Sequence, residues 1–599
     1  MRFALHLSRI KIENFRNFAD LDVKLAGNLV VVGENRVGKS NLLHALRLIF
    51  DPSLPENARQ LGLSDFWDGL EELTKEDRIL VSVEIKNFED DPDTLAILTD
   101  FRLDDDPETV RLTYELKPIA DLEGEPGAAE DYEFICYGGE SETKTFGHKL
   151  RRRITMDVLP ALRDAESDLS VWQRSPLRPL IEEAFKGVDS GELAEIGEAI
   201  EEATAKITEF GEVAALEKSI ADLFQEMSGE KQDIHPKLGF SPTDPARLYR
   251  AVRLLIDEGE RGISDASLGS ANLVFLTLKS LELRRLIEEN HRDHTFLAIE
   301  EPEAHLHPHL QRSVYRHVFA EAQEGGAPLS ILLTTHSPHI ASVAPLRSIL
   351  LLKDEGARGT KGYATPSISL NAREEDDIAR YLDVTRAEIL FARGVLLVEG
   401  DAERFLVPAL AESMGKSLDE LGITVCSVAG TNFRPYAKFL DGLGIPFAVI
   451  TDWDPSEGKS PLGWSRSLNL VTDIETQRTG EKLEALIAEL EGLDEDDFAD
   501  RCEAYGVFSN IKTLEVDLFT DGFASAIISV LREYKFSAKR KENIKKWEAD
   551  PTTLDSEELL KMIDAIGKGR FAQRMLSYIE DIDPPGYIAR AIEFVADRV

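Results

Sequence analysis

The chain has 599 residues, 43% hydrophobic and 30% charged, a length that one hydrophobic core cannot organise and that implies several domains. Its formal charge of -41 at pH 7 excludes a protein that coats itself with a polyanion and confines any nucleic-acid contact to a local basic patch. No apolar run is long enough to span a bilayer, no secretory signal precedes the charged Lys11 and Glu13, and Cys136, Cys426 and Cys502 lack metal or disulfide spacing, so a cytoplasmic protein with no membrane partner is expected.

In chain order, Leu7, Ile10, Ile12, Phe15, Phe18, Leu21, Val23 and Leu25 alternate with polar residues and predict a strand hairpin. The apolar run Leu29-Val30-Val31-Val32 then leads into Gly33-Glu34-Asn35-Arg36-Val37-Gly38-Lys39-Ser40 and the helical Asn41-Leu42-Leu43-His44-Ala45-Leu46. Strand, glycine-cornered loop and helix make a phosphate-binding loop. Gly33 and Gly38 let backbone N–H groups turn toward a triphosphate, Lys39 reaches its terminal phosphates, and the Ser40 hydroxyl can ligate magnesium carried with ATP. The helix should stop near Phe50, at Asp51-Pro52-Ser53-Leu54-Pro55. Period-two patterns return at Arg78 to Phe88 and at Val110 to Leu116, so residues 1–158 read as mostly β around one loop and helix.

From residue 159 to 260 the texture is acid-rich and helical, as in Leu180-Ile181-Glu182-Glu183-Ala184-Phe185 and the run from Glu192 to Met227. Amphipathicity alone does not separate a dimerisation arm from a solvated bundle. Three motifs follow in 261–378. Ser267-Leu268-Gly269-Ser270-Ala271-Asn272 opens an apolar helix whose free N–H groups could meet an anion. Phe296-Leu297-Ala298-Ile299-Glu300-Glu301 is a buried-strand pattern ending in two acids, with Glu300 suited to magnesium and Glu301 to orienting the attacking water. Ile331-Leu332-Leu333-Thr334-Thr335-His336 ends in a histidine placed where parallel sheets hold ligands. His305 and His307 have no third partner at zinc spacing.

With the Ile12-Glu13-Asn14-Phe15-Arg16-Asn17-Phe18 segment, these motifs resemble the ABC-type ATPases of the SMC and RecF kind. The resemblance implies that Arg16, Gly33, Asn35, Gly38, Lys39, Ser40, Asn41, Glu300 and His336 bind ATP and its magnesium. It further implies that Glu301 is catalytic and that Ser267 and Gly269 close the nucleotide of a second head. The signature turn keeps one glycine where that family has two.

The second half, 379–599, carries Gly394-Val395-Leu396-Leu397-Val398-Glu399-Gly400-Asp401-Ala402-Glu403, then Ile423 to Val428, then Pro446-Phe447-Ala448-Val449-Ile450-Thr451-Asp452-Trp453-Asp454. Strand, helix, strand, helix, strand is the order of a small doubly wound domain. Glu399, Glu403, Asp452 and Asp454 fall at strand tips, where packed acids repel one another unless hard divalent ions, magnesium or manganese, sit among them. This segment resembles a Toprim domain. A head followed by Toprim resembles the OLD family of bacterial and phage nucleases, which includes the nuclease subunit of the Gabija anti-phage system. That resemblance implies a further metal ligand in Glu515 and a catalytic lysine in Lys568. From Arg532 to Trp547 seven basic residues face two acidic ones, an excess of five charges, with Tyr534 and Trp547 interleaved, a pattern compatible with phosphate contact.

The expected protein is therefore α/β: an ABC-type ATPase head with a helical insertion, then a doubly wound Toprim domain. Its expected work is ATP-linked, two-metal hydrolysis of DNA as a homodimer or larger assembly, with a helicase-type partner left open. A structural repair ATPase with a non-cleaving Toprim domain is the alternative.

Overall fold

The computed structural model describes residues 5–161, 168–169, 171–208, 210–228, 250, 252–256, 261–304, 306–323, 328–455, 460–480, 483–579 and 582–599. His305 and much of the insertion's second half, 229–249, lie outside the described residues. The chain forms two compact units, one of residues 1–160, 293–303 and 308–599, the other of 161–292 and 304–307.

In the first unit, β1 (His6–Phe15) and β2 (Phe18–Lys24) form the hairpin, closed by the pair Phe15 and Phe18. Their alternation puts Ile10 opposite Val23 and Ile12 opposite Leu21, all buried. β3 (Leu29–Gly33) runs into α1 (Lys39–Phe50). β4 (Ile79–Lys86), β5 (Val110–Pro118) and β6 (Tyr132–Gly138) extend the hairpin into an antiparallel sheet of order β2-β1-β4-β5-β6.

A second sheet has the order β11-β10-β3-β9-β8-β7, built from β7 (Ile154–Leu159), β8 (His294–Glu300), β9 (Leu329–Thr334), β10 (Ile349–Asp354) and β11 (Thr360–Ala364). All its pairs are parallel except the β10–β11 edge. Its strands are apolar on both faces, as a covered parallel sheet requires; Val30, Val31 and Val32 are fully buried. α1 buries Leu42, Leu43, Leu46, Ile49 and Phe50, and the Phe50 ring meets Phe296 of β8 at 4.8 Å. α2 (Pro308–Gln323) follows β8.

The carboxyl-terminal part contributes β12 (Gly394–Val398), α3 (Asp401–Ser413), β13 (Ile423–Ser427), α4 (Arg434–Gly442), β14 (Phe447–Thr451), α5 (Leu462–Thr479) and β15 (Val507–Ser509). The strands form a parallel sheet of order β13-β12-β14-β15. The chain leaves β12 toward β13 on one side and returns to β14 on the other, so the crevice at the carboxyl ends of β12 and β14 is a topological switch point. The helices past it include α6 (Ala538–Ala549), α7 (Ser556–Ile566), α8 (Lys568–Met575) and α9 (Gly586–Ala596). A Cβ on Gly394 would lie 2.4 Å from Val595 of α9, so a side chain there would force strand and helix apart.

The second unit is helical, with helices over Leu177–Lys186, Ser190–Thr208, Gly211–Ser228 and Leu268–Glu288. Its first and last helices are tied where Arg285 bonds to the Pro179 carbonyl and, at 3.0 Å, to Glu183. Ile196, Phe210, Leu216 and Leu223 are exposed.

Candidate functional site

The phosphate-loop motif folds as a turn between β3 and α1. Gly33 sits at φ 147°, and a Cβ there would lie 2.5 Å from the Leu352 carbonyl oxygen; Gly38 caps α1 at φ 92°. Both positions lie in left-handed backbone space that favours glycine. Lys39 is buried, and its ammonium donates to the carbonyls of Gly33 (3.0 Å) and Glu34 (2.7 Å). Burial depresses its pKa to about 8, with Glu301 and Glu303 opposing the shift. Asn35 and Ser40 are exposed at the rim of the loop.

Arg16 is held beside the loop by Asp65 (2.9 Å) and by the Asn41 side-chain oxygen (2.9 Å), and Asn41 donates in turn to Asn17. Across the sheet, Glu300 ends β8 opposite Thr334 of β9. Glu301 follows with φ at 41°, an uncommon conformation for a glutamate, and lies 3.7 Å from the His336 ring. Burial and the nearby Lys39 both push the His336 pKa down. Glu303, in the loop that follows the two acids, accepts from the Thr335 hydroxyl (2.9 Å) and the His336 N–H (2.6 Å), and so fixes the loop that carries the histidine. Ser267 and Gly269 belong to the second unit. There the Ser267 hydroxyl caps its helix by accepting from the Ser270 N–H at 3.2 Å.

At the second crevice, Glu399 and Asp452 leave adjacent strand ends. Oε1 of Glu399 accepts from the Thr451 hydroxyl (2.6 Å), the Asp452 N–H (2.9 Å) and Arg466 Nη1 (2.7 Å). Oδ1 of Asp452 accepts from the Asn510 amide and the Leu514 N–H (3.0 Å). Asp454, at φ 51°, gives Oδ2 to Arg466 Nη2 at 3.0 Å. Glu403, in the first turn of α3, accepts from the Gly400 N–H at 3.2 Å. Glu515 is 1% exposed; its Oε1 lies 3.1 Å from the Lys568 ammonium, and its Oε2 is buried with no hydrogen-bond partner among the described residues.

Desolvation raises the pKa of Asp452 to about 8 and of Glu403 to about 7, and the neighbouring carboxylates add to both shifts. Desolvation pulls the Lys568 pKa down, but Glu515, Asp452 and Glu403 outweigh it and the net shift is upward.

As the side chains stand, no three acids, histidines or cysteines among the described residues surround one point closely enough to bind a single ion. Arg466 and Lys568 lie among the carboxylates instead. Even so, the donor set fits hard divalent cations. It is all oxygen, each acid commits one oxygen to protein donors, and the orphaned Glu515 Oε2 is a buried lone pair that a cation would satisfy. The residues that could hold such a cation are Glu399, Glu403, Asp452, Asp454 and Glu515. Sequence reasoning missed Arg466 and Asn510. They lie 12 and 56 residues beyond Asp454 in the chain, outside any motif, and only folding brings them in.

The aromatic part of the basic patch needs correction. Trp547 is 1% exposed and packs edge-on to Phe519 at 6.3 Å, because the inward face of α6 is apolar, so it offers no stacking surface. Lys539, Lys541, Lys545 and Lys546 are exposed, while Arg532 pairs with Glu548 and Arg540 with Glu558.

Two family profiles match the chain. "AAA domain, putative AbiEii toxin, Type IV TA system" covers residues 29–342, and "Overcoming lysogenization defect protein-like, TOPRIM domain" covers residues 390–454. The chain is similar to the OLD nuclease of Thermus scotoductus, 26% identical over 75% of this chain and 82% of that one. It is also similar to the endonuclease GajA of Bacillus cereus, 23% identical over 78% and 79%. Among solved structures, the C-terminal region of the Burkholderia pseudomallei OLD protein is 44% identical, covering 35% of this chain and 98% of that one, with a TM-score of 0.30.

Proposed function

We infer the activity from kinship, since the chain belongs to the OLD family, an ATPase head joined to a Toprim domain. From that premise the reading is an ATP-binding, divalent-metal-dependent DNA endonuclease or nickase, serving anti-phage defence or DNA repair as a homo-oligomer. The observation that carries it is the carboxylate crevice at the switch point of the Toprim sheet, with a buried, partnerless oxygen on Glu515.

Divalent ions bound there would supply Lewis acidity toward a phosphodiester and lower the pKa of water. The chain's own residues do the rest. Glu399 and Asp452 are locked by three and two donors on one oxygen each, so their orientation is set before substrate arrives. Lys568 is half exposed and its net pKa shift is upward, so it presents a charged ammonium to a phosphate at the rim. In the head, Lys39 must leave the carbonyls of Gly33 and Glu34 to reach a nucleotide. Glu301 is the carboxylate placed to orient water, with His336 beside it.

The test is supercoiled plasmid incubated with purified protein and magnesium or manganese, with and without ATP. Nicked or linear product that vanishes in chelator is expected. Intact plasmid under every condition would favour the structural repair ATPase.

A further inference from the structure

Arg466 stands on the first turns of α5, 13% exposed, and its guanidinium spans two acids of the carboxylate crevice. Nη1 donates to Glu399 Oε1 at 2.7 Å and to the Asp452 carbonyl at 3.0 Å, and Nη2 donates to Asp454 Oδ2 at 3.0 Å. A planar fork can do this, whereas a lysine ammonium is a point charge on a flexible stem. The same Nη1 also bonds the Thr451 hydroxyl, itself a donor to Glu399 Oε1. One side chain therefore fixes the end of β14, the tip of β12 and the strained Asp454.

The consequence falls on the remaining oxygens. With Oε1 of Glu399 and Oδ2 of Asp454 taken, the oxygens left for an ion are Glu399 Oε2 and Asp454 Oδ1. Asp454 at φ 51° holds a costly backbone conformation that persists only where its surroundings over-determine it, and the Arg466 contact is one such constraint.

We propose that Arg466 is a positioning residue of the divalent-metal site, bridging Glu399 and Asp454 so that one oxygen of each faces the cation. This rests on the reading of the crevice as a metal site. It makes a prediction opposite in sign to simple electrostatics. Removing a positive charge from beside an anionic site should tighten cation binding by Coulomb's law alone, whereas removing an orienting partner weakens it, typically 10- to 100-fold.

The experiment is a Mn2+ titration of the full-length protein without nucleotide or DNA, read as free ion by EPR, on wild type, Arg466→Gln, Arg466→Lys and Asp452→Asn. Both Arg466 variants should bind Mn2+ about 10- to 100-fold more weakly, while ATP hydrolysis and the melting temperature in chelator stay near wild type. Unchanged or tighter binding by Arg466→Gln overturns the proposal, and so does wild-type affinity in Arg466→Lys, which would show that charge suffices without the fork. Asp452→Asn keeps the two readings apart. If it binds Mn2+ as well as wild type does, the crevice is not the metal site and both readings fall; if it loses Mn2+ while the Arg466 variants keep it, only the positioning role falls.

Discussion

His294 opens β8 with its ring wholly buried, its Nε2 3.0 Å from the Ser330 hydroxyl and its ring in an edge-to-face contact with Phe296. Burial pushes its pKa to about 3. An unfolded histidine titrates near 6.5 and takes up a proton that the folded ring refuses, so this group destabilises the fold progressively as pH falls below about 6.5. By pH 5 the loss is about 2 kcal/mol, at roughly 1.4 kcal/mol per pH unit. His294→Asn keeps a polar partner for Ser330 without the titration. Denaturant melts at pH 7 and pH 5 should show wild type losing about 2 kcal/mol more than the variant; equal losses would mean that the ring is reached by solvent or protonated in the fold. This residue had no functional signal in the sequence, because burial, which sets its pKa, is a property of the sheet.

At the level of elements, the sequence was informative wherever a local pattern matched a local cause. Gly33 and Gly38, needed for backbone turns, and the apolar runs that become β3, β8, β9, β12 and β14 all read directly from residue order, since periodicity and turn chemistry are short-range. Unreadable were contacts that depend on how elements stack: Arg466 clamping Glu399, Glu303 holding His336, and Trp547 turning inward from α6.

The correction at Trp547 sharpens the role of α6. Without a stacking platform at Trp547, any DNA contact proposed for the helix would be made by charge, through Lys539, Lys541, Lys545 and Lys546 on its exposed side. Replacing these four by alanine should weaken DNA binding across unrelated sequences and flatten its salt dependence, by about 0.9 in the log–log slope for each phosphate that the helix no longer neutralises. Fluorescence anisotropy across a salt series measures this. An unchanged slope would assign the phosphate contacts to another surface.

Across the whole first unit, the two candidate sites are joined by a contact at the phosphate loop itself. Glu34, one residue past Gly33, accepts from Arg393 Nε at 2.7 Å, and Arg393 immediately precedes the strand that delivers Glu399. Both partners are about half exposed, so the pair adds little stability. The proposed reading assigns a separate chemistry to each site, and that separation can be tested directly. Asp452→Ala removes a carboxylate held by Asn510 and Leu514 at the heart of the Toprim crevice. DNA cleavage should fall to background while ATP hydrolysis continues, because no head residue contacts Asp452 among the bonds that fix it. Glu301→Gln keeps the size of the side chain and the backbone bond to Thr334 but loses the charge beside His336, so phosphate release should collapse with nucleotide still bound. Lys39→Ala should lose hydrolysis as well, and nucleotide affinity with it. Plasmid nicking and phosphate release measured on all three variants in one buffer decide the matter. Should Asp452→Ala nick at the wild-type rate, the carboxylate crevice is not the nuclease centre, and the Toprim domain serves the head in some other capacity.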